Sequence, residues 1–307
     1  SLLGITSLDQ LRKLHIDPSR VPAGEMFDIF EIDINAIIAK AADLRRKLAS
    51  EIDENDPVRN SAAKRRQLAQ LHELTADLRR IADGVVAAGL PLGGKPGKAL
   101  DEAYENLRIA VKAAHPESGH PDLSMLDAMV ATGLKPTVTT DYMQWQPNHW
   151  VIESPDVVVA RGGFDAIIGN PPFLGGKKIS GALGSDIREW LVNVVAGGVT
   201  GHADQVAYFF LRAQELLANN GTLGLIATNT IAQGDTREVG LEQMVEAGFT
   251  ITRAIQSRSW PAESANLEFA AVWGAVGPVA EDIPRISDDI PAKRITTLLE
   301  SAGRRSE

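Results

Sequence analysis

The chain has no cysteine in 307 residues. That excludes disulfides, iron–sulfur clusters, thiolate zinc sites and a cysteine nucleophile. It also fits a reducing compartment, so the cytoplasm is the expected location. No apolar run of roughly 18 residues occurs, and no charged-then-apolar amino terminus, so neither a membrane span nor a signal peptide is expected. Positive charge is scarce: 31 Lys+Arg against 40 Asp+Glu give a net charge of −9. Splitting the chain changes little, since residues 1–150 hold 18 against 21 and residues 151–307 hold 13 against 19. Any nucleic-acid surface must therefore be local, or lie in a segment this chain lacks. Signatures of other chemistries are missing too. Gly175-Gly176 and Gly197-Gly198 are followed by no Gly-Lys-Ser/Thr, His115 and His120 lack metal-ligand spacing, and no Ser-His-Asp signature appears.

What is present is ordinary globular composition, 44% hydrophobic and 23% charged. At about 150 residues per domain, the length suggests two domains. The chain begins at Ser1 rather than Met, which we read as a piece of something longer. The first half has helical period. Ile34, Ile37, Ile38, Ala41 and Leu44 recur at three- and four-residue spacing, and Leu68, Leu71, Leu74, Leu78 and Ile81 repeat it. With Asp56-Pro57 as a break, these form a helical hairpin, and Lys64-Arg65-Arg66 marks a solvated face. Further helices are expected over Leu100–Ala114 and Ser124–Thr132.

The period changes in the second half. Phe164–Gly169 and Thr222–Ala227 read as buried strands, and Val206–Leu217 and Arg237–Ala247 read as helices. Phe249–Gln256 and Phe269–Val276 follow as strands with no room for a helix between them. Strand–helix–strand–helix–strand implies a parallel sheet with right-handed crossovers, and the last pair could end it as an antiparallel hairpin. Beyond Gly277 the polar, Pro- and Asp-bearing sequence reads as a linker or the start of a further segment.

The chemistry concentrates at Gly169-Asn170-Pro171-Pro172-Phe173. An Asn-Pro-Pro-aromatic turn is delivered at the carboxyl end of a strand, where open α/β sheets bind ligands. Two prolines fix φ and stiffen the turn. The Asn170 side-chain carbonyl and the Pro171 backbone carbonyl then form paired acceptors. Such a pair holds an amino group by its two N–H donors and leaves the nitrogen lone pair free. An exposed Phe173 offers a stacking face for a base, a contact that contributes about 1–3 kcal/mol.

Asn170-Pro171-Pro172-Phe173 resembles motif IV of the N6-adenine DNA methyltransferases, which use S-adenosylmethionine. Ala203–Phe209 is similar to their motif V region, and Gly221–Thr230 to motif VI and its loop. Ser259-Trp260-Pro261 with Asn266–Trp273 resembles the terminal hairpin, and His149–Glu153 the lead-in to motif IV. The continuation Leu174-Gly175-Gly176-Lys177-Lys178 resembles the large type IIG-like restriction–modification and phage-defence methylases. The resemblance implies an α/β fold: part of a Rossmann-like methyltransferase sheet with parallel strands, a final antiparallel hairpin and a helical insertion. It implies a helical insertion over 1–135, a catalytic half over 136–280, and a linker or further segment over 281–307. The implied activity is methylation of the adenine amino group in DNA. Other readings are an RNA or protein-glutamine methyltransferase of the same fold, or an inactive structural fragment.

The resemblance further implies catalytic roles for Asn170, Pro171, Pro172 and Phe173. Cofactor contacts fall to Gly169 and Asp204, with Asp204 alternatively a helix N-terminal acid. Lys177 and Lys178 reach DNA phosphates or form a solvated pair. Thr228 and Asn229 line the DNA pocket or simply enter a turn. The family's Gly-rich cofactor motif is missing, although Ser1-Leu2-Leu3-Gly4 resembles the tail of the preceding motif III. The strand-like Phe30–Asn35 has no Gly-rich turn before it, so Asp33 is read as a capping or surface acid. The main S-adenosylmethionine site is thus expected upstream, the chain is expected to be inactive alone, and nuclease or target-recognition segments are expected elsewhere in the full-length protein.

Overall fold

The computed structural model describes residues 2–12, 33–50, 57–260 and 268–302. Two compact units part between Arg161 and Gly162. The first is helical: α1 (Leu8–Arg12), α2 (Ile34–Ser50), α3 (Pro57–Gly89), α4 (Lys98–Ala114), α5 (Ser124–Gly133), α6 (Trp150–Glu153) and α7 (Pro155–Val158). It runs past the expected boundary at residue 135 to include the lead-in to β1.

Local chemistry accounts for these helices. Asp33 Oδ1 accepts the Ala36 N–H at 2.9 Å, so Asp33 caps α2. Residues 30–32 lie outside the described residues. Pro57 opens α3, where a missing N–H costs nothing. Leu71, Thr75, Leu78, Ala82 and Val85 then bury one stripe at alternating four- and three-residue steps. Leu68, expected in that stripe, is 44% exposed. Glycines set the close approaches of neighbouring helices. A Cβ at Gly84 would sit 2.7 Å from Leu107 of α4, and one at Gly133 would sit 2.1 Å from the Ala87 carbonyl oxygen.

A buried histidine ties the unit together. The Ile5 N–H donates to His149 Nδ1 at 3.2 Å, which leaves the ring proton on Nε2 to be donated to Asp83 Oδ1 at 2.9 Å. Arg79 pairs with Glu153 nearby. Lys64 is half-buried, while Arg65 and Arg66 point to solvent.

The second unit holds β1 (Phe164–Gly169), α8 (Gly176–Leu183), α9 (Ser185–Trp190), α10 (Gln205–Leu216) and β2 (Leu217–Thr228). A helix starting at α11 (Gly234–Arg237) runs through a π turn at Glu238–Glu242 into α12 (Gln243–Glu246). It therefore begins three residues before the expected Arg237. The strands β3 (Phe249–Ser259), β4 (Glu268–Val276), β5 (Arg285–Ser287) and β6 (Ile290–Ala292) follow. The sheet is mixed, in the order β1-β2-β4-β3-β5-β6. β1 and β2 are parallel, and β4 is antiparallel to both β2 and β3. Leu223, Leu225 and Ala227 of β2 alternate onto one face, in a core shared with Val206 and Phe210 of α10 and with Leu241 and Met244.

Three expectations change. β3 and β4 form the expected antiparallel hairpin, but it does not end the sheet, because β4 folds back between β2 and β3 and β5 pairs on the far side of β3. The stretch read as a linker after Gly277 instead supplies β5 and β6 and places Ile295 and Leu299 in the core. β1, expected to be buried, is an edge strand among the described residues. Its outer side has no strand partner there, and Ile168 is 87% exposed.

Candidate functional site

The Asn170-Pro171-Pro172-Phe173 turn leaves β1 at its carboxyl end, in line with the carboxyl end of parallel β2. Asn170 and Pro172 are exposed, and Pro171 is half-buried. Phe173 is not the free ring expected: it is half-buried and packs against the core of the unit. Burying part of this large apolar ring anchors the turn to the sheet. Lys177 and Lys178 are exposed on the first turn of α8. Gly169 is half-buried, with Leu225 Cδ2 3.3 Å from where its Cβ would be.

Asp204, just before α10, reaches this turn. Its Oδ1 accepts the Gly176 N–H at 2.9 Å, and its Oδ2 accepts the Thr230 hydroxyl at 2.6 Å. Thr228 Oγ1 lies 3.4 Å from the same Oδ2 and 2.6 Å from Thr230 Oγ1. Backbone contacts reinforce the arrangement. The Gln205 N–H donates to the Leu174 carbonyl at 2.9 Å, and the Asp204 N–H to Thr236 Oγ1 at 3.1 Å. Gly176 allows it, because a Cβ there would lie 2.1 Å from the His202 carbonyl oxygen.

The structure thus brings Asp204 and Thr228 together with the start of α8. It sends Asn229 elsewhere: its amide donates to Glu268 Oε2 at 3.1 Å, an oxygen that also accepts from Ser257 Oγ at 2.6 Å. Thr230, Thr236 and Gly176 are the members that sequence reasoning missed. No local signal gave them: Thr228 ends β2 and Thr230 lies in the short 3-10 turn Asn229–Ala232 that follows, and the two hydroxyls meet only because the chain bends there. The Asp235 carboxylate accepts the His202 N–H at 2.5 Å, and Arg188 donates to the Gly201 carbonyl. Tyr208 is fully buried beside them. Burial pushes its hydroxyl pKa up, Arg188 pulls it down, and Asp235 pushes it up.

Trp260 and Phe269 meet edge to face at 5.3 Å in the terminal hairpin, while Pro261 and Asn266 lie outside the described residues. A separate cavity near the start of β3, lined by Phe249, Ile251, Pro284 and Ile286, shares no residue with the Asn170 turn. Among the described residues, no helix is long and apolar enough to cross a membrane.

The profile of the Eco57I restriction-modification methylases matches residues 28–247. The chain is 26% identical over 116 residues to DNA methyltransferase A of Bacillus subtilis (strain 168), a stretch covering 38% of this chain and 13% of that protein. Among solved structures it is similar to the type IIL restriction-modification enzyme MmeI in complex with DNA. That match has 16% identity and a TM-score of 0.40, and covers 68% of this chain and 28% of that one. A putative class I S-adenosylmethionine-dependent methyltransferase from Listeria monocytogenes matches at 11% identity and a TM-score of 0.30, covering 82% and 84% of the two chains. The chain therefore spans only a minor part of the first two of these relatives.

Proposed function

Because this chain belongs to the Eco57I restriction-modification methylase family, we propose that it supplies the acceptor-binding half of an enzyme that methylates the N6 amino group of adenine in DNA. The observation carrying this reading is the stiff Asn170-Pro171-Pro172-Phe173 turn at the carboxyl end of β1, with Asn170 exposed and Phe173 braced on the core.

The acceptor chemistry follows from these residues. A target adenine leaves the duplex at an unstacking cost of a few kcal/mol and rests against the accessible part of Phe173. Its amino N–H groups donate to Asn170 Oδ1 and to the Pro171 carbonyl. Both bonds draw electron density toward nitrogen and hold its lone pair in one direction. The site works by orientation and desolvation and needs no strong base. Lys177 and Lys178 follow within one turn of helix and meet the flanking phosphates. Thr228, beside Asp204, and Asn229, at the β2 exit with its amide on Glu268, are the remaining candidates for DNA contact.

The expected methyl donor is S-adenosylmethionine, whose sulfonium supplies an electrophilic methyl. Gly169 and Asp204 do not form a cradle for it. Each Asp204 carboxylate oxygen already accepts a bond, from the Gly176 N–H or the Thr230 hydroxyl, and Gly169 is half-buried. We therefore assign the donor site to a part of the full-length enzyme outside this chain and expect the isolated chain to be inactive.

The test is full-length enzyme carrying Asn170→Ala, assayed with labelled methyl donor on DNA, RNA and protein acceptors. DNA adenine methylation by the unsubstituted enzyme, lost by at least 100-fold on substitution, is the expected result. Wild-type rates in the variant would sink the assignment. Labelling of RNA or protein amide instead of DNA would move the substrate to another class.

A further inference from the structure

We infer that Asp204 is a positioning residue that clasps the Asn170–Phe173 turn in its working geometry, and is not a cofactor ligand. This rests on the reading of that turn as the acceptor site. Asp204 occupies the position just before α10, where an aspartate usually accepts an N–H from the first turn of its own helix. Here it makes no such cap bond. The carboxylate reaches instead to two other places. Oδ1 holds the Gly176 N–H at 2.9 Å, at the point where the turn becomes α8. Oδ2 takes the Thr230 hydroxyl at 2.6 Å, with Thr228 alongside at the exit of β2. Its backbone N–H is fixed on the buried Thr236 at 3.1 Å, so the side chain projects from a defined point.

The turn is therefore held from both ends. Its start is the end of β1, in register with β2. Its finish is gripped twice, by Asp204 at Gly176 and by the Gln205 N–H at the Leu174 carbonyl, 2.9 Å away. Pro171 and Pro172 have no N–H with which to pin the middle of the turn. What fixes Asn170 relative to the sheet is then this pair of bonds at residues 174 and 176, together with the packing of Phe173. A charged acceptor makes the stronger of such bonds, and its loss lets the whole turn drift.

The experiment combines hydrogen exchange on the 307-residue chain with kinetics on the full-length enzyme. In Asp204→Ala, amide exchange should quicken in peptides covering residues 170–178. That segment has few amides because of its two prolines, so the Gly176 contribution stands out. Turnover should fall by about 10- to 100-fold, the size expected for a catalytic group displaced by about 1 Å. The KM for S-adenosylmethionine should stay within about twofold. Asp204→Asn keeps an oxygen for the Gly176 N–H, and should restore the exchange protection and most of the turnover.

Unchanged exchange over 170–178 in Asp204→Ala would overturn the clasp. So would a raised KM for S-adenosylmethionine at unchanged turnover, which would make Asp204 a cofactor ligand after all. If the unsubstituted full-length enzyme methylates no DNA adenine, the proposed function fails, and the exchange measurement alone still decides the clasp.

Discussion

Gly176 and Gly181 lie in the same eight-residue helix, α8, yet alanine at the two positions should move stability in opposite directions. At Gly176 a Cβ would lie 2.1 Å from the His202 carbonyl oxygen, 2.4 Å from its carbon and 2.5 Å from the Ala203 carbonyl oxygen. Real Cβ contacts essentially never fall below 3.0 Å, so relief needs a movement of about 0.9 Å (3.0 − 2.1). All three obstacles are backbone atoms, and no rotamer change can clear them. Residues 202–203 are themselves held, by the bond from the His202 N–H to Asp235 and by the complete burial of Ala203. Overpacking of this kind costs about 1–3 kcal/mol. With about 2–4 °C of melting temperature per kcal/mol at this size, Gly176→Ala should melt about 2–12 °C lower.

At Gly181 nothing lies within 4 Å of the Cβ position, and the residue is exposed. Only helix propensity changes there, which favours alanine by about 0.8–1.0 kcal/mol and raises the melting temperature by about 2–4 °C. Calorimetry or circular dichroism on the three chains side by side reads the difference. In the full-length enzyme Gly176→Ala should also lose methylation, by up to about 100-fold, while Gly181→Ala stays within about twofold. A Gly176→Ala chain melting with the parent, or a Gly181→Ala chain melting below it, would refute the close backbone packing on which the site geometry depends.

Two further tests address the helical unit. Leu107 is fully buried beneath Gly84, so Leu107→Ala should cost about 2–5 kcal/mol, read as a lower urea midpoint with an unchanged slope. Burial also raises the Tyr104 hydroxyl pKa to about 12 from its ordinary 10.0. The neutral form is shared by both states below pH 10, so this burial weighs nothing against folding there. Above that the unfolded chain releases the proton first, and stability falls as pH rises from 10 toward 12. Tyr104→Phe should flatten that fall in a denaturant series across the same window, and an unaltered slope would place Tyr104 in water.

Much of the fold could be read from the sequence because its signals are local. The switch from helical spacing in residues 34–81 to short apolar runs after Phe164 marks the two units, and α10 appears within one residue of its expected ends. What escaped depended on partners distant in sequence. Phe269–Val276 is apolar on both faces, which suits an interior strand, but nothing local says that β2 and β3 are its neighbours. The β5–β6 hairpin was hidden for a different reason. It turns on Asp288-Asp289, both with positive φ (47° and 63°), where Asn-Gly or Asp-Gly is the usual signal for such a tight turn. Pro291 within β6 also argues against a strand, and is tolerated because β6 is an edge strand among the described residues.

The site divides along the same line. A stiff turn at a strand end can be read from four adjacent residues, because proline chemistry is local. Its support cannot, since Asp204 stands 28 residues from Gly176, 26 from Thr230 and 32 from Thr236. Reading Asp204 by itself leaves two local roles, a helix N-terminal acid or a pocket acid. The structure shows a carboxylate that does not cap its own helix and is engaged by a loop and a strand end. An aspartate before a helix is expected to stabilise that helix by about 1 kcal/mol through the cap bond. Forgoing that bond for contacts with the turn makes sense where the position of the turn matters more than the stability of the helix. Thr228 and Asn229 follow the same logic. One, the last residue of β2, lies against Thr230 and Asp204, and the other, the first residue of the short 3-10 turn Asn229–Ala232, reaches Glu268. Adjacent in sequence, the two part because the strand ends between them, and where β2 ends is set by its partners in the sheet rather than by the residues on either side.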